Sequence, residues 1–150
     1  MSSKVLLVQG TTLQISTQEA ASTEPTGLTM ADLDCTARQL QWQGGQATEL
    51  DTSTLCSTAK EFRLGLSDSG TLSVTGFWKS DDAAQKAIKA ADKDKKPRLI
   101  VVTFPDRSKF ACLALVQQRS WDAQVDGVVG ATFNFRITGE VEETEPPVGP

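Results

Sequence analysis

Short stretches in which apolar and polar residues alternate recur along this chain, and that period predicts strands. Leu13 and Ile15 stand against Thr12, Gln14 and Ser16 in the second half of Lys4 to Thr17, with Gly10 as a bend. Thr36 to Gln43 puts Leu40 and Trp42 on one face, and Gly44-Gly45 predicts the positive φ angles of a hairpin turn. Glu61 to Leu66 predicts another strand. After the turn Asp68-Ser69-Gly70, Thr71 to Trp78 alternates Leu72 and Val74 against Ser73 and Thr75. Leu99 to Phe104 and Phe110 to Val116 are apolar on both faces, with Pro105-Asp106 starting the turn between them. Beyond Asp126-Gly127, Thr132 to Thr138 sets Phe133, Phe135 and Ile137 inward against Asn134 and Arg136.

One segment follows the helical period instead. Ser80 predicts the cap of a helix over 81–92, with Asp81 and Asp82 in its first turn and Lys86, Lys89 and Lys93 towards its end, as the macrodipole favours. Ala84, Ala87, Ile88 and Ala91 fall at i, i+3, i+4 and i+7, a stripe of small side chains suited to packing on a sheet. Two stretches, 17–32 and 44–62, hold too little apolar content for core strands and are expected as long loops. If one face of the sheet is solvated, Ile100, Val102 and Phe104 suffice for the core. Leu99, Val101, Leu113 and Leu115 then need the helix, a second sheet or another subunit, which makes them candidates for inter-subunit strands. The expected fold is mainly β: an antiparallel sandwich or barrel of about seven or eight strands with one flanking α-helix. It occupies residues 1–141, and 142–150 is expected as a disordered acidic, Pro-rich tail, solvated and dispensable for folding.

Composition narrows the chemistry. The 150 residues are 39% hydrophobic and 23% charged, which supports a single globular core. The net charge of −4 equals the contribution of Glu140, Glu142, Glu143 and Glu145, so residues 1–138 are neutral, a balance that leans towards self-association. Histidine is absent, which removes Ser-His-Asp and Cys-His nucleophiles, His-ligated zinc and the commonest general base. Cys35, Cys56 and Cys112 match no zinc or CxxC spacing and are expected as reduced packing residues. Neither a signal-peptide pattern nor a membrane-length apolar run occurs, so synthesis in the cytosol is expected.

No phosphate-binding, dinucleotide or HExxH motif occurs, and Gly65-Leu-Ser67-Asp-Ser69 lacks the closing glycine of a nucleophile elbow. Asp81 with Asp82, and Glu142 with Glu143, are explained by a helix start and a solvated tail. No enzyme, metal or cofactor is expected. Lys86, Lys89, Lys93, Lys95, Lys96 and Arg98, set against Asp92 and Asp94, form a basic run able to meet phosphates or acidic protein. The same run also reads as the polar face of an amphipathic helix, and it lacks aromatics for stacking single strands. Trp42, Phe77, Trp78 and Trp121 read as core or interface packing.

Taken in order, Glu49-Leu-Asp-Thr-Ser-Thr-Leu55, Cys56-Ser-Thr-Ala-Lys-Glu-Phe62, Asp68-Ser-Gly-Thr-Leu-Ser-Val-Thr-Gly-Phe-Trp78 and Asp81-Asp-Ala-Ala-Gln-Lys-Ala-Ile88 resemble the major tail tube protein of long-tailed, non-contractile bacteriophages. Phe135-Arg-Ile-Thr-Gly-Glu-Val141 fits that family's last strand, and related tubes occur in contractile tails and type VI secretion. The resemblance implies a structural virion protein whose hexameric rings stack into a hollow tube that conducts DNA without binding it specifically. It further implies assembly in the host cytoplasm, tape-measure and tail-terminator or tail-tip partners, and no membrane. By the same resemblance the long hairpin loop, Gly44 to Phe62, reaches the next ring, which points to Thr48, Glu49, Leu50, Asp51, Thr52, Ser53, Thr54 and Leu55. The residues alone leave other classes open: a monomeric β-barrel module for a ligand or protein, a nucleic-acid binder using the Lys-rich run, and, weakest, an enzyme.

Overall fold

The computed structural model describes residues 9–23, 27–33, 36–125 and 127–145. These form nine strands and one helix: β1 (Thr12–Ser16), β2 (Met30–Asp32), β3 (Ala37–Gln43), β4 (Glu49–Asp51), β5 (Phe62–Leu64), β6 (Thr71–Phe77), α1 (Ala83–Asp94), β7 (Arg98–Thr103), β8 (Lys109–Asp122) and β9 (Gly130–Thr144). Seven strands make one antiparallel sheet in the order β2-β1-β7-β8-β9-β6-β3, and β4 and β5 pair separately.

The sheet curls. Its edge strands, β2 and β3, are close in sequence, and Ala37 N–H of β3 donates to the carbonyl of Leu33, just past β2, at 3.0 Å, while Leu33 N–H donates to the Leu13 carbonyl of β1 at 2.8 Å. One apolar cluster fills the concave face, with Leu13 and Ile15 from β1, Ile100 and Val102 from β7, Phe110 to Val116 from β8, Phe133 to Ile137 from β9, and Leu72 and Val74 from β6. Trp42 of β3 crosses this space to Phe110, with ring centroids 4.9 Å apart. The fold is the mainly antiparallel β architecture with one helix that the alternation predicts.

The helix start differs from expectation. Ser80 is not the cap: Asp82 is, accepting from Gln85 N–H at 3.3 Å, and no acidic residue lies in the first turn. Asp82 N–H donates to the Lys79 carbonyl, so 79–82 form a turn that delays the helix by two residues. Buried Gln85 then fastens this turn, accepting from Lys79 N–H at 2.8 Å and donating to the Phe77 carbonyl at 2.7 Å. Ala84, Ala87, Ile88 and Ala91 are buried in the central cluster.

Other boundaries shift for local reasons. The end of the expected 17–32 loop is strand β2, paired to β1 through Ile15 and Ala31. Gly44 and Gly45 do not take positive φ, and no tight turn follows β3. Instead β3 pairs with β6, and 44–70 form an excursion between them. Its neck is crowded: a Cβ on Gly45 would lie 2.4 Å from Asp68 Cγ, and one on Gly70, whose φ is +90°, 1.9 Å from the Gln43 oxygen. Strand β9 continues through Thr144, so Glu142 and Glu143, expected in a disordered tail, stand in the ladder opposite Ala111 and Phe110. The expected turn at Asp126 and the tail residues 146–150 lie outside the described residues, as do Cys35 and the Lys4–Val8 part of the first strand.

Gly70→Ala is expected to destabilise the folded chain by about 3 kcal/mol or more, since it adds a left-handed φ penalty to a backbone clash. Urea unfolding of the purified chain measures it, and a loss under about 0.5 kcal/mol would show that the neck relaxes freely.

Candidate functional site

The barrel has two dissimilar ends. Strands β3 and β6 meet one end at Gln43 and Thr71, opposite Phe110 of β8, and the 44–70 excursion leaves there. At the other end stand Phe77, the β8–β9 connection and the start of α1.

The excursion is a β-hairpin arm. Its ladder runs from Gly45 N–H to the Asp68 carbonyl, through Gly65 N–H to the Thr48 carbonyl and the Leu50–Arg63 register, to Thr52 N–H on the Glu61 carbonyl. Glu49, Leu50 and Asp51 therefore lie in β4, Thr48 on its neck side, and Thr52, Ser53, Thr54 and Leu55 run up to the tip. Every residue of β4 and β5 is exposed. Leu50, Phe62, Leu64 and Leu66 are bare as well, and Leu55 at the apex is as open as a residue can be, at 106%. What holds the arm is polar. Ser53 Oγ accepts from Glu61 N–H at 2.7 Å, Asp51 Oδ1 accepts from Ser53 N–H at 2.9 Å, and Ser57 N–H donates to the Thr54 carbonyl at 3.0 Å. The Ser53 backbone N–H keeps the Asp51 carboxyl below its ordinary titration range. At the neck, the Gly70 N–H does the same for Asp68, helped by Arg136.

The other end carries a cleft of about 350 Å³ lined by Trp78, Ser80, Gln85, Lys89, Asp92, Arg119, Trp121 and Phe133. A β-bulge builds it. Between Val116–Phe135 and Gln118–Asn134 the ladder takes one extra residue from β8. This reverses the alternation, so Arg119 and Trp121 come opposite Phe133 and Ala131 on the concave face. Arg119 Nε donates to Asp92 Oδ2 of α1 at 3.1 Å, and its guanidinium lies 5.9 Å from the Trp78 ring centroid. Trp78 in turn stacks near Phe133, at 6.1 Å and 23°. Trp121 remains 63% exposed, and Val125, Val128 and Val129 of the connecting loop are exposed as well. The sequence reading missed this cleft. Its signal is a break of phase: Gln118 and Ser120 fall where period two requires apolar residues, and Trp121 falls on the opposite parity.

The inter-subunit strand candidates divide. Leu99 is fully buried in its own chain, where Ala20 N–H donates to the Pro97 carbonyl and Leu99 N–H to Ser16 Oγ. Val101, Leu113 and Leu115 are half-buried on the convex face. Half of the basic run is paired: Arg98 with Asp94 at 2.9 Å, Lys95 with Asp92 and Lys96 with Glu19. Lys86, Lys89 and Lys93 remain as an exposed stripe along α1. Cys56 is exposed beside Leu55, and burial pushes the Cys112 thiol up to about 12. No group of three or more potential metal ligands occurs among the described residues, and no helix there is long and apolar enough to cross a membrane.

An arm without a core of its own and a barrel with unlike ends form a subunit's geometry, and comparison with known proteins gives it a family. The family model described as phage tail tube protein matches residues 8–143. The chain belongs to the phage tail tube protein family. It is a structural tail component of a phage virion. Comparison with curated proteins finds no match. Among solved structures, the SPP1 tail tube is similar with a TM-score of 0.70 at 16% identity, over 93% of this chain and 79% of that one. A chain in the tail of an empty gene transfer agent particle, determined with C6 symmetry, gives 0.64 at 17% identity over 89% and 96%. One in the six-fold symmetrised baseplate of the anti-feeding prophage gives 0.64 at 8% identity over 99% and 100%. These identities carry the tail tube fold and nothing finer.

Partial burial raises the Asp92 carboxyl, but the Arg119 hydrogen bond and the Lys95 charge outweigh it and hold the group below its ordinary 3.8. Because the folded value is the lower one, this pair stabilises the tail tube subunit above pH 3.8 and is lost as pH falls through the folded value. Arg119→Met is expected to move the Asp92 titration upward, followed by carboxyl NMR. An unchanged titration would show that Arg119 does not hold this carboxylate.

Proposed function

We propose that six copies of this chain close into a ring, that rings stack through the arm, and that the resulting tube conducts phage DNA during ejection. The observation that carries this reading is the arm itself. A two-stranded hairpin is marginal alone in water, and this one exposes Leu50, Leu55, Phe62, Leu64 and Leu66 while burying none of its strand residues. Such a surface gains its stability from another molecule. Membership of the tail tube family supports a second copy as that molecule, and the C6 and six-fold symmetry of the similar assemblies supports six.

Lateral closure uses the edges and the convex face. Strands β2 and β3 are open edges, and half-buried Val101, Leu113 and Leu115 lie between them on the sheet. A closed ring pairs every such edge, which an isolated subunit cannot do. DNA passage requires a bore that does not hold a duplex, so the Lys86, Lys89 and Lys93 stripe faces away from it. The role is mechanical, with no catalytic step, and the tube meets tape-measure and tail-tip or terminator proteins after assembly in the host cytoplasm.

Deleting Thr48 to Thr54 is expected to leave soluble subunits with an unchanged far-ultraviolet circular dichroism spectrum and no tubes by negative-stain electron microscopy. Tubes of ordinary length from this variant would rule out the arm as the axial contact. Salt-dependent binding of free duplex DNA by the intact tube would count against the bore.

A further inference from the structure

We propose that the cleft between α1 and the far end of β8 is the socket for the arm of a second copy, with Leu55 entering between Trp78 and Trp121. The inference rests on the stacked-ring reading above and adds to it the receiving surface. Four observations carry it.

The knob is preformed. Leu55 stands at the apex of a turn closed by Ser57 N–H on the Thr54 carbonyl, with Ser57 Oγ accepting from Thr54 N–H at 3.0 Å and Thr54 Oγ1 from Cys56 N–H at 3.3 Å. These bonds fix the shape of the tip, so docking orders little that is not already ordered. The cleft is chemically matched, with an aromatic floor of Trp78 and Phe133, a wall of exposed Trp121, and cations Lys89 and Arg119 against one acid, Asp92. The arm from 46 to 66 has the opposite balance, Glu49, Asp51 and Glu61 against Lys60 and Arg63.

The geometry is head-to-tail. Arm and cleft lie at opposite ends of β6, roughly 20 Å apart along the strand. Gly45 to Leu55 spans at most about 35 Å when extended, enough to cross from one barrel to the cleft of the next. Finally, the contact covers exposed apolar side chains from both ends of the molecule, Leu55 of the arm and Trp121 of the cleft.

The test uses the full chain with Ser80→Cys, which places a thiol at the cleft, and the native Cys56 beside Leu55. Mild oxidation of assembled tubes is expected to give a ladder of covalently linked subunits that Cys56→Ser abolishes. Leu55→Ala is expected to raise the concentration threshold for tube formation at least about tenfold, the effect of removing one buried leucine contact. The subunit's unfolding midpoint stays unchanged, because Leu55 touches no core. Tubes that give no ladder and keep their threshold in Leu55→Ala overturn the socket, even where deletion of Thr48 to Thr54 still abolishes assembly and the axial arm stands. Tubes that survive that deletion overturn the axial arm and the socket together.

Discussion

The phase of the β8–β9 ladder is the constraint from which both ends of the molecule follow. These two strands are the longest and join the β1–β7 half of the sheet to the β6–β3 half. In an antiparallel pair a one-residue slip exchanges the faces of every later side chain. The extra residue after Val116 does this once, ending the apolar series Phe110, Cys112, Ala114, Val116 and turning Arg119 and Trp121 inward. Without it Gln118 and Ser120 would come opposite Phe133 and Ala131, and Arg119 would point away from Asp92. A second irregularity lies nearer the arm, where the three β8 residues Ala111 to Leu113 face the five β9 residues Glu142 to Thr138. Gly139 takes φ +80° there, and its carbonyl accepts from Ser69 Oγ at 2.5 Å, tying the bulge to the root of the arm.

The arm obeys a different physics from the barrel. The barrel is held by burial, with Leu72, Val74, Ile88, Val102 and Phe135 almost wholly removed from water. The arm is held by a ladder and by short Ser, Thr and Asp side chains that close its tip on itself. Hydrogen bonds exposed to water stabilise weakly, each on the order of 1 kcal/mol net. The sequence nevertheless keeps large apolar residues on this arm, where for an isolated protein they carry an aggregation risk. A composition so unfavourable for a monomer is consistent with a chain whose folded form is completed by its neighbours.

Much of the barrel was legible because its strands are half-buried. Leu72 and Val74, Phe133 to Ile137, and the α1 stripe are placed by period alone, since a single buried face imposes a single rhythm. Legibility failed where hydrogen bonding, not burial, sets the conformation. The stretch around Thr48 to Leu55 has a loop's composition, and pairing without burial leaves no pattern of apolar residues. The motif order supplied its hairpin character through the resemblance to tail tube proteins. Gly44 and Gly45 misled for a related reason: they answer to the closeness of Asp68 and Gly70 across the neck, a long-range demand that a local turn rule cannot express. Glu142 and Glu143 were hidden by charge, because an edge of the β8–β9 ladder accepts acids wherever their side chains reach water.

The two ends bear on how the proposed tube would propagate. A contact between unlike surfaces does not close on itself by two-fold symmetry, so repeated along an axis it grows without limit. Lateral contacts of the same kind close only if their rotation completes a circle. The arm and the cleft are unlike in shape, charge balance and position, and so are edges β2 and β3, the first three residues long and the second seven. In the proposed tube one chain would thus carry a self-terminating lateral interaction and an open-ended axial one. A tube of defined width needs the first and a tube of any length needs the second.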